Sequence, residues 1–453
     1  MSEAFKFAVI GDCHFVRPEY HAEANRGDDH RRYAWMMEHV WPRVMAEIAA
    51  EKPAFLVQLG DFVEGARDPS LQSAELREAL DLLRGGCGCP VWLVKGNHDR
   101  EPALREVAMP ELRERLLALA GGKGRPLTTF HYAFSHGDAR FVVVDDVNLR
   151  PGSPQVAWLE SELKWAQERA ARTFLFSHAP LFTVSRPFWG HKPMLDVTLP
   201  LLDRWRVDAF FCGHSHNHAA TLHRNVRNPL LHLETTILGY PQAPLVPLHE
   251  VRPSAVSRHS YDYYWGFLED SAPSWYLVTV AGGRVRVEWR LLGRGAAGAL
   301  EWSEAGRVAC VQRPEFAVRI GLGEAELQDV REARVFMAGY KCLGSEKRVL
   351  LNGIPIGVTP ALTCFESNVA VPVPPEKLGA LALENEVVVE NPRGEKFLLG
   401  GFYIEARLRD GRLARSTAAQ EIYATCGDWD SWSSPVLRHV APGELIRVEG
   451  LVF

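Results

Sequence analysis

Five times within the first 216 residues, an apolar run stops at a turn that carries Asp, Asn or His. The turns read G-D-C-H at 11–14, G-D-F-V-E at 60–64, G-N-H-D at 96–99, S-H-A-P at 177–180 and G-H-S-H at 213–216. Buried strands that end in polar turns are the plan of an open α/β sheet, which keeps its chemistry just beyond the strand ends. Glycine ahead of the polar residue permits tight or unusual backbone geometry. The residues on offer are Asp12, His14, Asp61, Asn97, His98, His178, His214 and His216. Carboxylate oxygens and neutral imidazoles presented together suit borderline divalent cations. Histidine usage is uneven in the same direction: of 17 histidines, only His439 lies beyond position 260.

Between these turns, strands and helices alternate. Apolar runs at 6–12, 54–61, 91–99, 140–146, 173–180 and 207–216 read as strands. Helices are expected from about 33 to 51, with Pro42 marking a bend or restart, and at 71–84, about 103–120, 156–170 and 199–205. Residues 275–293 read as two strands around Gly282–Gly283, a hairpin. The pattern predicts a layered α/β unit over 1–292. The stretch 293–307 is rich in small residues and reads as a linker or crossing. Short strands at 348–358, 386–392, 396–414 and 445–453, separated by Gly, Pro, Asn or Asp turns, predict an all-β sandwich over 308–453. A chain of 453 residues is long enough for two to four domains.

Charge and composition exclude some functions. The formal net charge of −5 argues against a broad nucleic-acid footprint. No uninterrupted apolar run reaches the roughly 18–20 residues that span a bilayer, so no membrane partner is expected. The start, MSEAFKFAVIGD, lacks a basic region followed by an apolar stretch, and the expected location is cytoplasmic. Eight cysteines in such a chain do not read as a disulfide framework. Cys13 and Cys212 are expected in the core, not as ligands.

The five turns, in this order, resemble the calcineurin-like metallophosphoesterase superfamily, whose pattern runs D-x-H, G-D, G-N-H-[DE], a histidine and G-H-x-H. The resemblance covers residues 5–292. It implies a sandwich with two central β-sheets flanked by helices. It also implies two divalent ions, drawn from Mn, Zn, Fe, Co or Ni. By resemblance, Asp12, His14 and His216 hold the first ion, Asn97, His178 and His214 hold the second, and Asp61 bridges them. His98 is then the catalytic histidine that is not a ligand, with Asp99 orienting it. The implied reaction is hydrolysis of a small phosphate ester by direct attack of water or hydroxide. A small phosphodiester is favoured, with a phosphomonoester as the alternative and a non-catalytic, metal-stabilised scaffold as the competing reading.

Departures from related patterns sharpen this. Purple acid phosphatases carry D-x-G and a tyrosine where this chain has His14 and Glu64, which argues against an Fe(III)–tyrosinate centre. The segment GDFVEGA is similar to the GDFVDRG-like segment of Ser/Thr phosphatases, but Glu64 and Gly65 replace its Asp-Arg pair. The phosphate-binding arginine is therefore missing there, and GNHD in place of GNHE leans towards phosphodiesterase-like or nuclease-like relatives.

Further candidates surround the set. His218 reads as an ordinary polar loop residue, with support of a ligand or contact with substrate as the alternative. His21, His30, His136 and His191 are candidates to approach the cleft. Residues 17–33 are expected to form a solvated loop, or a lid or phosphate clamp using Arg17, Arg26, Arg31 or Arg32. Arg186, Phe188, Trp189 and His191 are candidates for a substrate wall. The aromatic segment 259–267 packs against the second unit or stacks on a substrate. In the second unit, LLNGIPIGVTP loosely resembles the hairpin of galactose-binding-like jelly rolls. ATCGDWDSWSSP (424–435) reads as a capping turn or a sugar platform. That unit is offered as a shield for the cleft, a homo-oligomer contact or a carbohydrate contact.

Overall fold

The computed structural model describes residues 4–20, 28–121, 127–181, 192–216, 218–223, 230–237, 251–252, 263–269, 273–303, 309–312, 319–340, 347–362, 365–390, 397–425, 437–441 and 443–453. A central α/β sandwich is followed by a smaller all-β unit.

The first sheet of the sandwich runs Ala309–Gln312, Gly295–Ser303, Arg284–Leu291, Ser274–Ala281, Phe5–Ile10, Phe55–Gln58 and Val91–Leu93. The last three strands are parallel. The second sheet runs Tyr263–Glu269, His218–His223, Leu230–Glu234, Ala209–Cys212, Arg172–Phe176, Ala139–Val143 and Tyr132–His136. Its central four strands are parallel too. Parallel strands need crossovers, and the helices Trp41–Ala50, Pro69–Cys87, Pro154–Arg169 and Lys192–Arg204 supply them.

Alternation along the strands builds the layers. Phe7 of the first sheet meets Phe141 and Phe174 of the second at centroid distances of 5.2 and 5.3 Å. On the far face of the second sheet, Val142, Leu175 and Phe210 pack on Leu159, Leu163, Leu195 and Leu202 of two helices. Trp41, Val44 and Ile48 join the core that covers the first sheet. The helix expected over 33–51 is two helices, Asp28–His39 and Trp41–Ala50, because Pro42 sits in the first turn of the second.

The hairpin at Gly282–Gly283 pairs Ala281 with Arg284. The stretch expected as a linker or crossing, 293–307, contains the strand Gly295–Ser303, which pairs with Arg284–Leu291. Its small residues concealed a strand whose Ala299, Leu300 and Trp302 are buried. The first sheet thus continues through Gln312.

The second unit has a four-stranded sheet and contributes seven strands to an eight-stranded one, whose remaining strand is Val251–Arg252. Val335, Phe402 and Ile404 of the larger sheet share one core with Val349, Val387 and Ile446 of the smaller, so the unit is a sandwich. No helix among the described residues is long and apolar enough to cross a membrane.

Candidate metal centre

All five polar turns lie past the carboxyl ends of parallel strands, three on the first sheet and two on the second. The sandwich therefore brings them to one edge. The local backbone is unusual at that edge. Among the described residues, six that are not glycine have positive φ, and four of them are His14, Asp61, His214 and His216. Left-handed backbone at such residues costs free energy and persists where surrounding structure enforces it, typically at functional sites.

Glycine is required where chains crowd together. A Cβ on Gly96 would lie 2.1 Å from the Asp61 nitrogen and 2.3 Å from its Oδ1, and one on Gly213 would lie 2.7 Å from Asp12 Oδ2. A side chain at either position would displace a carboxylate.

The side chains form two sets that share Asp61. Ligand atoms of Asp12, His14, Asp61 and His216 all lie within 4.8 Å of one another, as do those of Asp61, His178 and His214. In the first set, His14 Nε2 and His216 Nε2 are 3.1 Å apart. Asp61 Oδ2 lies 3.8 Å from His14 Nε2, and Asp12 Oδ1 lies 3.7 Å from His216 Nε2. In the second, His178 Nε2 is 2.9 Å from Asn97 Oδ1, 3.0 Å from His214 Nδ1 and 3.2 Å from Asp61 Oδ2. The His214 amide also donates to both oxygens of Asp12, at 3.0 and 2.8 Å.

Surrounding contacts orient these donors. His178 Nδ1 lies 2.9 Å from the Leu59 carbonyl, which leaves Nε2 turned to the shared point. His14 Nδ1 lies 2.6 Å from Glu64 Oε2. The sequence marked Glu64 only as a departure, whereas here it positions a ligand from the far end of its own turn. His98 is partly open, with 35 % of its side chain exposed, and its Nδ1 lies 3.0 Å from the Glu64 carbonyl and 3.5 Å from Glu64 Oε2.

Asp99 does not orient His98. Its Oδ1 accepts from the amides of Phe62 and Val63 at 3.0 and 3.3 Å, and its Oδ2 accepts from Gly96 at 2.9 Å. Both oxygens are committed to backbone, so Asp99 clamps the second and third turns together.

Electrostatics follow from crowding. Burial pushes the Asp12 carboxyl up to about 6 against the pull of His178. Burial would also raise Asp61, but His178 and His98 hold it well below the usual carboxylate range. Burial opposes charge on His14, yet the bond to Glu64 carries it up to about 9. The donor set of four imidazole nitrogens, two carboxylates and an amide oxygen fits two borderline divalent cations. These would take the lone pairs for which protons otherwise compete.

The remaining candidates separate clearly. Cys13 and Cys212 are fully buried in the core. His218 is also a core residue, with Nδ1 3.1 Å from Ser274 Oγ and its ring on Trp289. His136 pairs with Ala139, at the opposite end of the second sheet from the turns, and its ring contacts Phe5 and Phe55. Arg17 is tied to Glu78 at 2.8 Å. His21, Arg26, Arg186, Phe188, Trp189, His191 and the tryptophan-bearing part of 424–435 lie outside the described residues, as do the side chains of His30, Arg31 and Arg32.

Parts of this chain are similar to known proteins. Residues 5–218 match the family model described as calcineurin-like phosphoesterase. A relative from Danio rerio, named serine/threonine-protein phosphatase CPPED1, is 26% identical over 186 residues, covering 38% of this chain and 57% of the relative. The match thus spans little more than half the length of that relative. Among solved structures, a dimetal phosphatase from Danio rerio aligns at 16% identity and a TM-score of 0.44, over 66% of this chain and 98% of the other. The purple acid phosphatase PPD1 of yellow lupin aligns at 15% identity and a TM-score of 0.46, over 67% of this chain and 54% of the other.

Proposed function

Given that this chain belongs to the calcineurin-like metallophosphoesterase superfamily, we propose that it hydrolyses a small phosphate ester at a binuclear metal centre, with a phosphodiester favoured over a monoester. The observation that carries this reading is the position of Asp61 in both ligand sets. Its Oδ2 lies 3.8 Å from His14 Nε2 of one set and 3.2 Å from His178 Nε2 of the other, while Oδ1 accepts from the His98 amide at 2.7 Å. One oxygen thus faces both sets and could serve two cations, which two-metal hydrolases hold about 3.5–4 Å apart.

In this reading Asp12, His14 and His216 would hold one ion, Asn97, His178 and His214 would hold the other, and Asp61 would serve both. When bound, the ions supply Lewis acidity for direct attack of water on phosphorus and offset charge on the phosphoryl oxygens. His98, partly exposed beside His14, binds the phosphoryl group or protonates the leaving oxygen. Glu64 keeps His14 in place with its carboxylate and His98 with its backbone carbonyl.

Preference for a diester rests on Gly65, which stands where the similar Ser/Thr phosphatase segment carries its phosphate-binding arginine. At Gly65, with φ of +82°, a Cβ would lie 2.5 Å from the His98 carbonyl, so this turn has no room for an arginine. A monoester carries more charge on its terminal oxygens and needs more cations around them. The phosphomonoesterase reading is favoured by the name of the Danio rerio relative, a serine/threonine-protein phosphatase. We also place the division between the two units after Gln312, where the first sheet ends.

The test is a metal-reconstituted activity panel of aryl phosphate, aryl phosphodiester, cyclic nucleotide, glycerophosphodiester and nucleotide-sugar, with Asp61→Ala and His98→Ala beside the wild type. Turnover of a diester ahead of the monoester is expected. Monoester preference would select the second reading, and no turnover by metal-replete protein would select a binding scaffold.

A further inference from the structure

A cavity of about 600 Å³ lies past the carboxyl end of the strand Ala139–Val143, on the edge that carries the polar turns, with Glu101, Arg105, Phe130, His131, Asp145 and Arg150 in its wall. It lies on the Asn97–His178 side. Asp145 Oδ2 is 3.3 Å from Lys95 Nζ, two residues before Asn97. The neighbouring Asp146 accepts the amide of Ala179, next to His178, at 2.9 Å.

Most charge around this cavity cancels in pairs. Arg105 bonds to Glu101 at 2.6 Å, and Lys95 stands between Asp145 at 3.3 Å and Glu101 at 3.7 Å. Both cations also lie over the Phe130 ring, at 5.3 and 5.7 Å. Arg150 is left over. It is exposed at the wall and forms no ion pair among the described residues. His131 rests on Trp158 at 4.5 Å, and its ring forms no hydrogen bond among the described residues. The cavity therefore presents one uncompensated guanidinium and one open imidazole. A guanidinium fork recognises carboxylate and phosphate oxygens in preference to neutral groups.

We propose that this cavity receives the non-reacting part of the substrate and that Arg150, assisted by His131, selects esters carrying a second anionic group, a carboxylate or a phosphate. This rests on the reading of the metal centre as the point where the reacting phosphoryl group binds.

The test uses metal-replete protein and alkyl phosphonates, which are not hydrolysed. A series with two to eight carbons would end in a carboxylate, a second phosphonate or a neutral amide, with affinities measured by calorimetry. At the length that spans the two points, one of the anionic ends should bind about tenfold more tightly than the amide, on the scale of one charge-assisted contact. The favoured end identifies the source. Arg150→Gln should abolish that preference and leave amide affinity and thermal stability unchanged. Equal binding of acid and amide at every length, survival of the preference in Arg150→Gln, or no phosphonate binding would each overturn the proposal. Failure of the hydrolase reading looks different: the phosphonates bind selectively while the activity panel shows no turnover.

Discussion

Glu64 Oε2 and His14 Nδ1 are 2.6 Å apart, a contact between turns 50 residues apart in the chain. It fixes which ring nitrogen of His14 faces the centre. Carboxylates behind a ligating histidine typically contribute 10- to 100-fold in metal affinity or activity. Glu64→Gln keeps the shape and loses the charge. We expect a fall of about tenfold in metal affinity with the fold retained, measured by metal titration alongside circular dichroism. Unchanged affinity would remove Glu64 from the centre.

His98 offers a sharper kinetic test. General acid catalysis contributes roughly 10²–10⁴-fold, and it matters most when the leaving group is poor. His98→Ala should therefore slow hydrolysis of an alkyl ester far more than that of a nitrophenyl ester. Equal losses on both would assign His98 to phosphate binding alone.

Metal removal should act on stability as well as rate. A ligand that binds only the native state at about 100 times its Kd stabilises that state by about 2.7 kcal/mol. Chelation should lower the unfolding temperature, and added Mn or Zn should restore it. Asp61→Ala should bind fewer ions by elemental analysis and lose activity. Undiminished turnover in that variant would sink the proposed bridge.

Asp208 ties the two sheets together away from the centre. It accepts from Arg172 at 2.9 Å, from the Thr173 amide at 2.9 Å and from Trp302 Nε1 at 3.2 Å, while Arg172 also donates to the Gly283 carbonyl. Removing one member of a buried pair costs about 3–5 kcal/mol. Asp208→Ala should lose stability on that scale in urea unfolding. The double variant Arg172→Met/Asp208→Leu should recover only part, since Thr173 and Trp302 still lose their acceptor.

What the sequence disclosed depended on distance along the chain. The five turns were legible because an apolar run and the ligand ending it are adjacent, and strand direction then gathers the ends. The role of Glu64 was not legible, because it exists only once two turns meet. Asp99 misled through adjacency: it follows His98 directly, yet its carboxylate faces the backbone of the second turn. The strand Gly295–Ser303 escaped notice because small residues carry little alternation, although Leu300 and Trp302 are buried. The cavity wall draws on residues 101–155, whose charges could not be paired without the fold.

The place of Phe5–Ile10 in the first sheet also has a biosynthetic consequence. This strand is flanked by Phe55–Gln58 on one side and Ser274–Ala281 on the other, with Phe5 opposite Val280. As the chain is made, this strand thus waits for one of the last strands of its own unit. At about 5–20 residues per second the delay is roughly 15–55 s. During that time an apolar strand has one bare hydrogen-bonding edge, an invitation to pair with another nascent chain. Translation speed and chaperone supply, more than final stability, should then govern how much of this protein reaches its folded form in a heterologous host.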